Sequence, residues 1–540
     1  MTTAPATAAA PPRAPGTLER PAVAFALLVA ALFATANIMG LFEPTETRYA
    51  EIAREMRVTG DYLVPHLDGI AHLHKPPVAY WAVALGQALL GDNGWGVRIP
   101  VALATLGTLF FAWTAFRRRF GALGVPPVLA LWALGTMVLP FLLGRTAATD
   151  PFLAESVAAF WAFAPSTWAI VWLAIGFFAK GPVVFVPTLL PVLVAAMWGR
   201  DRGTLRLLGP ARAWLAFVAI ALPWYVIVTL RVPGLMSYLL ENQLWARYAT
   251  HVHHRSGPPW YFLGVLAAGS LPWTAAMIAG FRRVASSAAR EESRLLYCWV
   301  FAPLVFFSFS GSKLPSYLLP CFPAIALFAT AGLDGGRRPI RVAVAATLAA
   351  LVVAAATLGP RALARSAGVE DAAAPLPPLV WAALALWSCA AVWMLGGRTA
   401  HAALFVLAGY VAVVSGLARY EGALGSPRPL ASVLAESRSP GEPIVEYERF
   451  NSGLPFYLGE HVRLLDVERE LFFTPGNARH EVLITADSLP PLARRHGRVW
   501  LLTPSGDGER LAASVGLDYR RVTRWRRLDL GTVESRPSAR

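Results

Sequence analysis

Residues 21–41 read PAVAFALLVAALFATANIMGL, a stretch without a single charged side chain. About 20 apolar residues in a helix are enough to cross the hydrocarbon core of a bilayer. A helix is also the form that satisfies its own backbone polar groups where no water can. The run is too long for a signal-peptide core. It follows MTTAPATAAAPPRAPGTLER, a low-complexity segment expected to be disordered over 1–20. Arg13 and Arg20 there are expected to hold the N-terminus in the cytoplasm.

The same reading extends through most of the chain. Its 540 residues are 56% hydrophobic and only 15% charged, with mean hydropathy +0.49. Soluble domains are about a quarter charged, so a single water-soluble core is excluded. Twelve further apolar segments follow at about 97–116, 125–143, 151–164, 166–180, 182–198, 212–230, 261–280, two flanking Ser310–Lys313, and 339–358, 376–395 and 399–417. The expected fold is mainly α: a polytopic bundle of about 13 transmembrane helices over 21–418, with a small C-terminal α/β domain over 419–540.

The net charge of +15 reports topology rather than nucleic-acid binding. Its arginines sit in short gaps between spans: Arg117–Arg119, Arg200 to Arg212, Arg282 to Arg294, and Arg337 to Arg341. With an inside start, every one of these clusters falls on the cytoplasmic side, as the positive-inside rule requires. Loop 43–96 and the tail then lie outside. Cys298, Cys321 and Cys389 all lie in apolar stretches and suit neither a disulfide scaffold nor a zinc ribbon. The tail alternates β-branched runs, at 443–447, 482–485 and 499–502, with a candidate helix at 489–495. It carries no phosphate-binding glycine loop, which points to a recognition or packing role.

Function must come from polar residues on the outer side. Segment 43–77, EPTETRYAEIAREMRVTGDYLVPHLDGIAHLHKPP, is the richest. Residues 47–57 have helical spacing, with Tyr49, Ile52, Ala53 and Met56 on one face. Thr45 is placed to cap that helix, and Glu46 falls in its first turn. An amphipathic helix lying on the membrane would explain the apolar face. It would not explain the crowding of Glu43, Glu46, His66, His72, His74 and Lys75 around it. Beside other spans stand Arg145 and Asp150 in GRTAATDPF, Lys180 in FAKGP and Lys313 in SGSKLPSY. Ionisable residues there are costly and read first as functional, with an ion pair or snorkelling as the plain alternatives. His251, His253, His254 and Arg255 form one more cluster. Carboxylates beside several cations suit sugar transfer from a lipid-linked phosphate: cations hold the phosphate, and a carboxylate or metal serves the attacking group.

The ordered set TRYAEIAREM, GDYLVPH, HKPPVAYW, ATDPF, AKGP, VHHRSGPPWYF, GSLPW and SGSKLPSYLLPCFPA, over about 40–335, resembles the bacterial aminoarabinose lipid A transferases. Their superfamily also includes the dolichyl-phosphate-mannose protein mannosyltransferases. The resemblance implies a glycosyltransferase C fold in the bacterial inner membrane, with active site and C-terminal domain in the periplasm. It implies a monomer that takes a sugar from undecaprenyl phosphate and passes it, with inversion, to lipid A, another glycan or protein. A protein O-glycosyltransferase of the same fold, or a non-catalytic carrier-binding or flippase protein, is the alternative. Transport is disfavoured because no internal repeat is visible.

Residue by residue, the resemblance makes Lys75 the holder of the carrier phosphate, with Arg48, Arg145, Lys180, Arg255, Lys313 and Tyr317 as further substrate or phosphate contacts. It places Asp150 in the central cavity. The aspartate that relatives carry before their Arg-Tyr-Ala stretch is replaced by Thr45, so Glu43 or Glu46 is expected to supply that carboxylate. The glutamate of their Glu-Lys-Pro-Pro is replaced by His74. His74, His253 and His254 are therefore the candidate ligands for a divalent metal, zinc or magnesium; no nucleotide cofactor is expected.

Overall fold

The structure, a computed structural model, describes residues 16–239, 257–334, 336–366, 375–467 and 482–535. All thirteen apolar segments are helical. Among the described residues seven helices are long and apolar enough to cross a membrane, or eight counting one bent pair. The protein is a multi-pass membrane protein.

Several spans are shorter or more broken than a uniform apolar run suggests. The segment expected as one helix at 125–143 is Pro127–Thr136 and Val138–Leu143, parted by Met137 in an extended conformation. That at 261–280 is Tyr261–Gly269 and Thr274–Ala285, which meet at 106°. That at 212–230 breaks before Pro223, and that at 182–198 begins as the 3-10 turn Gly181–Phe185 before Leu189–Gly199. Proline removes a backbone donor and clashes with the preceding turn, so breaks gather beside it. Pro165 likewise stands between Asp150–Phe163 and Thr167–Lys180, where the sequence places a tight hairpin. Helix Pro315–Leu333 lies at the centre, and its neighbour Thr274–Ala285 comes unusually near. A methyl group on Gly280 would meet the Phe328 carbonyl oxygen, and one on Gly332 that of Ala276, each closer than atoms can approach. Small residues at such crossings let membrane helices pack backbone to backbone. Cys298 and Cys321 are buried, whereas Cys389 is exposed on helix Pro378–Leu395.

Segment 43–96 is folded throughout, and its first helix is enclosed by protein rather than amphipathic in its burial. It contains helix Glu46–Thr59, the short hairpin β1 (His66–Leu67) and β2 (Ile70–Ala71), and a second helix, Val78–Leu90. The hairpin turns on Asp68-Gly69, both with positive φ (54° and 74°), the dipeptide that two-residue turns favour. In helix Glu46–Thr59 the run from Tyr49 to Met56 is buried on every side. Thr45 occupies the N-cap position but makes no side-chain cap bond; the first turn is held instead by Glu46, whose carboxylate accepts from the Phe42 N–H.

The partner that buries this helix is the C-terminal domain. Strands β3 (Ile444–Tyr447), β4 (Arg463–Leu465), β5 (Leu483–Ile484), β6 (Arg498–Pro504), β7 (Leu517–Trp525) and β8 (Leu528–Ser535) form one sheet in the order β5-β4-β3-β6-β8-β7. The β3, β4, β5 and β6 pairings are parallel, and the β6-β8-β7 edge is antiparallel. Leu430, Leu434, Leu454, Phe456 and Val462 join Tyr49, Ile52, Ala53, Met56, Tyr80 and Val83 in one apolar core. Loop and domain are therefore a single packed layer over one end of the bundle. The Tyr457 hydroxyl accepts the Leu41 N–H at 2.7 Å, and Glu421 accepts that of Gly40 at 2.6 Å.

Candidate functional site

Asp150 opens helix Asp150–Phe163, and Lys180 closes the antiparallel helix Thr167–Lys180. The tight connection of the two helices is far away, so their polar ends meet: the Lys180 ammonium donates to Asp150 Oδ1 at 2.5 Å, with both side chains buried. Ser316 and Lys75 both lie close enough to Asp150 to act on it. The Lys180 ammonium stands 5.4 Å from the centre of the Tyr317 ring. Lys313, three residues earlier than Ser316, is buried and donates to the Ser310 carbonyl at 2.6 Å. Four separate segments thus deliver Asp150, Lys180, Lys75 and the Ser316–Tyr317 pair to one polar cluster.

The loop helix reaches the same cluster. The Tyr49 hydroxyl lies near Thr149, next to Asp150, and its ring packs on Tyr80 with centroids 5.0 Å apart. Arg48 lies between, close enough for its charge to act on Glu43, Tyr49 and Tyr80, and its buried Nε has no hydrogen-bond partner among the described residues. Arg145 is buried; it donates to the Thr35 carbonyl at 2.7 Å and leaves its Nε without such a partner. Guanidinium N–H groups left over in a buried place are costly unless a ligand completes them.

The two loop glutamates point elsewhere. Glu46 is buried in a two-pronged pair with Arg98, at 2.8 and 2.6 Å, and it also accepts the N–H of Ala147. Burial would raise its carboxyl, but the charge and hydrogen bonds of Arg98 outweigh that and hold it below the usual range. Arg98 spends its remaining donors on the carbonyls of Ala36, Met39 and Gly40. Glu43 turns to the C-terminal domain, where it accepts from the Gly453 N–H at 2.6 Å and from the Ser452 hydroxyl. Burial raises its carboxyl above the ordinary value, against those bonds and Arg48. Arg98 was not singled out from the sequence, although an arginine at the head of the apolar run GWGVRIPVALA was signal enough.

For a metal, the rings of His72 and His74 lie 4.1 Å apart, and His74 also faces Tyr238. Among the described residues no three His, Cys, Asp or Glu side chains converge on a metal position. His253, His254 and Arg255 lie outside the described residues. Residues 16–239 and the rest of the described chain therefore do not by themselves build the expected site, and no chemical step is assigned to a metal.

A second acidic group, unnoticed in the sequence, seams the loop to the domain. Asp68 accepts the Val462 N–H at 3.0 Å, and Glu55 accepts that of Gly69. Burial, with Glu51 close to both, pushes each carboxyl up to about 8. Arg54 is engaged with Glu51, Glu446 is buried nearby, and His461 lies 3.9 Å from Glu55. Acids whose folded pKa is raised stabilise the fold fully at low pH, and that contribution fades as pH rises from about 4 through about 8. The melting temperature of the purified protein should therefore fall between pH 5.5 and 8.5, at up to about 1.4 kcal/mol per pH unit for each group. Asp68→Asn keeps an acceptor for Val462 and tolerates the turn, so it should flatten the slope; an unchanged slope would remove Asp68 from this role.

Helical segments in this order, a folded loop at 43–96 holding buried charges and a C-terminal α/β layer define the glycosyltransferase C class of membrane fold. The solved structure of ArnT from Cupriavidus metallidurans bound to undecaprenyl phosphate superposes with a TM-score of 0.79, covering 95% of this chain and 97% of that one at 23% identity. A sequence model described as dolichyl-phosphate-mannose-protein mannosyltransferase matches residues 74–227, which include His74, Lys75, Arg98, Arg145, Asp150 and Lys180. The chain is also similar to an undecaprenyl phosphate-alpha-4-amino-4-deoxy-L-arabinose arabinosyl transferase of Pseudomonas fluorescens, 32% identical over 350 residues (59% of this chain, 57% of the relative). A transferase of the same description from Erwinia tasmaniensis is 33% identical over 313 residues, 54% of this chain and 55% of the relative. The chain spans a little over half the length of these curated relatives.

Proposed function

We propose that this protein is an integral-membrane glycosyltransferase that moves a sugar from undecaprenyl phosphate to a cell-envelope acceptor such as lipid A. The observation that carries the reading is the convergence of Asp150, Lys180, Lys75 and Ser316 around the facing ends of two antiparallel helices. In a single displacement the acceptor oxygen bonds to the anomeric carbon as the bond from that carbon to the carrier phosphate oxygen breaks. The phosphate leaves with the electron pair, and Lys75 is placed to hold its growing charge. Asp150 is already committed to Lys180, which suits it to positioning cations rather than removing a proton. An acceptor that arrives ionised, such as a phosphate monoester, needs no base.

The names of the relatives make 4-amino-4-deoxy-L-arabinose the first donor sugar to test. Purified protein with that undecaprenyl-phosphate-linked sugar and lipid A should yield lipid A heavier by one sugar in a mass spectrum; no product from intact protein would refute the reading. Lys75→Ala should weaken undecaprenyl phosphate binding about tenfold to a hundredfold, the worth of one charge-assisted phosphate contact. Wild-type affinity in that variant would take the clamp away from Lys75. We also infer an inner-membrane location with the site in the periplasm. A reporter active only in the periplasm should work when fused after Arg540 and stay silent after Arg119; the reverse would put the site on the wrong side for a displayed lipid-linked sugar.

A further inference from the structure

A second polar cavity, of about 790 Å³, opens where the C-terminal domain meets the membrane bundle. Its walls carry five arginines, Arg365, Arg449, Arg524, Arg526 and Arg527, with Glu43 on one side. These come from three places. Arg365 ends helix Arg338–Ser366, whose 29 residues reach roughly 44 Å at 1.5 Å each, well beyond a hydrocarbon core of about 30 Å. Arg449 follows β3. Arg524, Arg526 and Arg527 form the tip of the β7–β8 hairpin, where Trp525 pairs with Leu528. The hairpin is pinned beside the membrane, because the Trp525 indole N–H donates to the Gly422 carbonyl just after the last span.

Most of this charge is uncommitted. Arg524 is paired with Asp529, but Arg365, Arg449, Arg526 and Arg527 make no ion pair among the described residues. The carboxylate of Glu43 is itself taken up by Ser452 and Gly453. Arg526 moreover holds φ at 55°, a conformation that favours glycine or asparagine, so an arginine stands at a turn where local structure does not call for one. Four like charges kept together at a membrane surface repel one another, and an anion relieves that repulsion. Guanidinium groups match phosphate oxygens in two-pronged geometry.

We propose that this cavity seats a phosphate group of the acceptor lipid's sugar headgroup, where the C-terminal domain meets the membrane bundle. The proposal rests on the transfer reading above and adds to it where the acceptor is held. The commitment to a headgroup follows from placement: one wall is the end of a membrane helix, and the cavity is too large for a lone phosphate.

Full-length protein in nanodiscs would be titrated with bisphosphorylated lipid A, monophosphoryl lipid A, phosphatidylglycerol and inorganic phosphate, and separately with undecaprenyl phosphate. Two sets of substitutions probe independent elements: Arg449→Gln with Arg527→Gln in the domain, and Arg365→Gln on the membrane helix. Each should lower affinity for bisphosphorylated lipid A by at least tenfold and leave undecaprenyl phosphate binding and the melting temperature as in wild type. Monophosphoryl lipid A should bind wild type less tightly, and inorganic phosphate should not compete at millimolar concentration. Unchanged lipid A affinity in both variants would overturn the proposal while leaving the transferase reading intact. Equal losses for phosphatidylglycerol would overturn it too, since the patch would then be a general anionic-lipid contact. Failure of wild type to bind undecaprenyl phosphate would instead strike at the transferase reading itself.

Discussion

Asp150→Asn should reduce sugar transfer by at least a hundredfold in protein that is folded and still binds undecaprenyl phosphate. Asn keeps the shape and one acceptor but loses the charge that fixes the Lys180 ammonium. Losing a positioned charged group at a reacting centre commonly costs a hundredfold or more in rate. Asp150 and Lys180 are also a buried pair, and leaving one partner alone costs stability whatever its chemical role. Asp150→Asn combined with Lys180→Met separates the two effects, because a neutral pair removes the stranded charge. Recovery of melting temperature without recovery of turnover would assign the pair to the reaction. Recovery of both would make it a structural pin and sink the assignment of Asp150. Glu43→Gln, whose carboxylate faces the C-terminal domain, should slow transfer far less.

Arg98→Ala should cost about 3–5 kcal/mol of stability, the usual penalty for stranding one member of a buried ion pair. Arg98 is 2% exposed, and its guanidinium joins Glu46 to three carbonyls at the exit of the first span. Without it those carbonyls and a buried carboxylate lose their donors together. The variant should melt well below wild type and yield little monodisperse protein. Glu46→Gln, which keeps acceptors for Phe42 and Ala147, should be milder in stability and near wild type in turnover per folded molecule. A Glu46→Gln protein that melts normally but turns over a hundredfold more slowly would return Glu46 to the chemistry, where the sequence pattern first placed it.

Which segments form apolar helices was legible in the chain by itself, because the transfer of each side chain into lipid is a local quantity that sums along a segment. The thirteen apolar runs, a helix at 47–57 and strands at 443–447 and 499–502 follow from composition and period, and the structure has that helix at 46–59 and those strands at 444–447 and 498–504. The breaks at Met137 and before Pro223 could be foreseen only in part, because proline marks where a helix is weak without saying whether neighbouring helices will carry it through. Partnership was the part that tertiary structure decided. Glu46 meets Arg98 across 52 positions, Glu43 meets Gly453 across 410, and Asp68 meets Val462 across 394. No local pattern encodes such pairings, and two glutamates three residues apart were equivalent candidates until the C-terminal layer closed over one and Arg98 captured the other. Asp150 and Lys180 were visible as costly charges beside spans, but only the antiparallel packing of their two helices makes them one site. The apolar pattern thus determined where the chain runs, and long-range packing, which sets each charge's partner and dielectric surroundings, decided what its polar residues are placed to do.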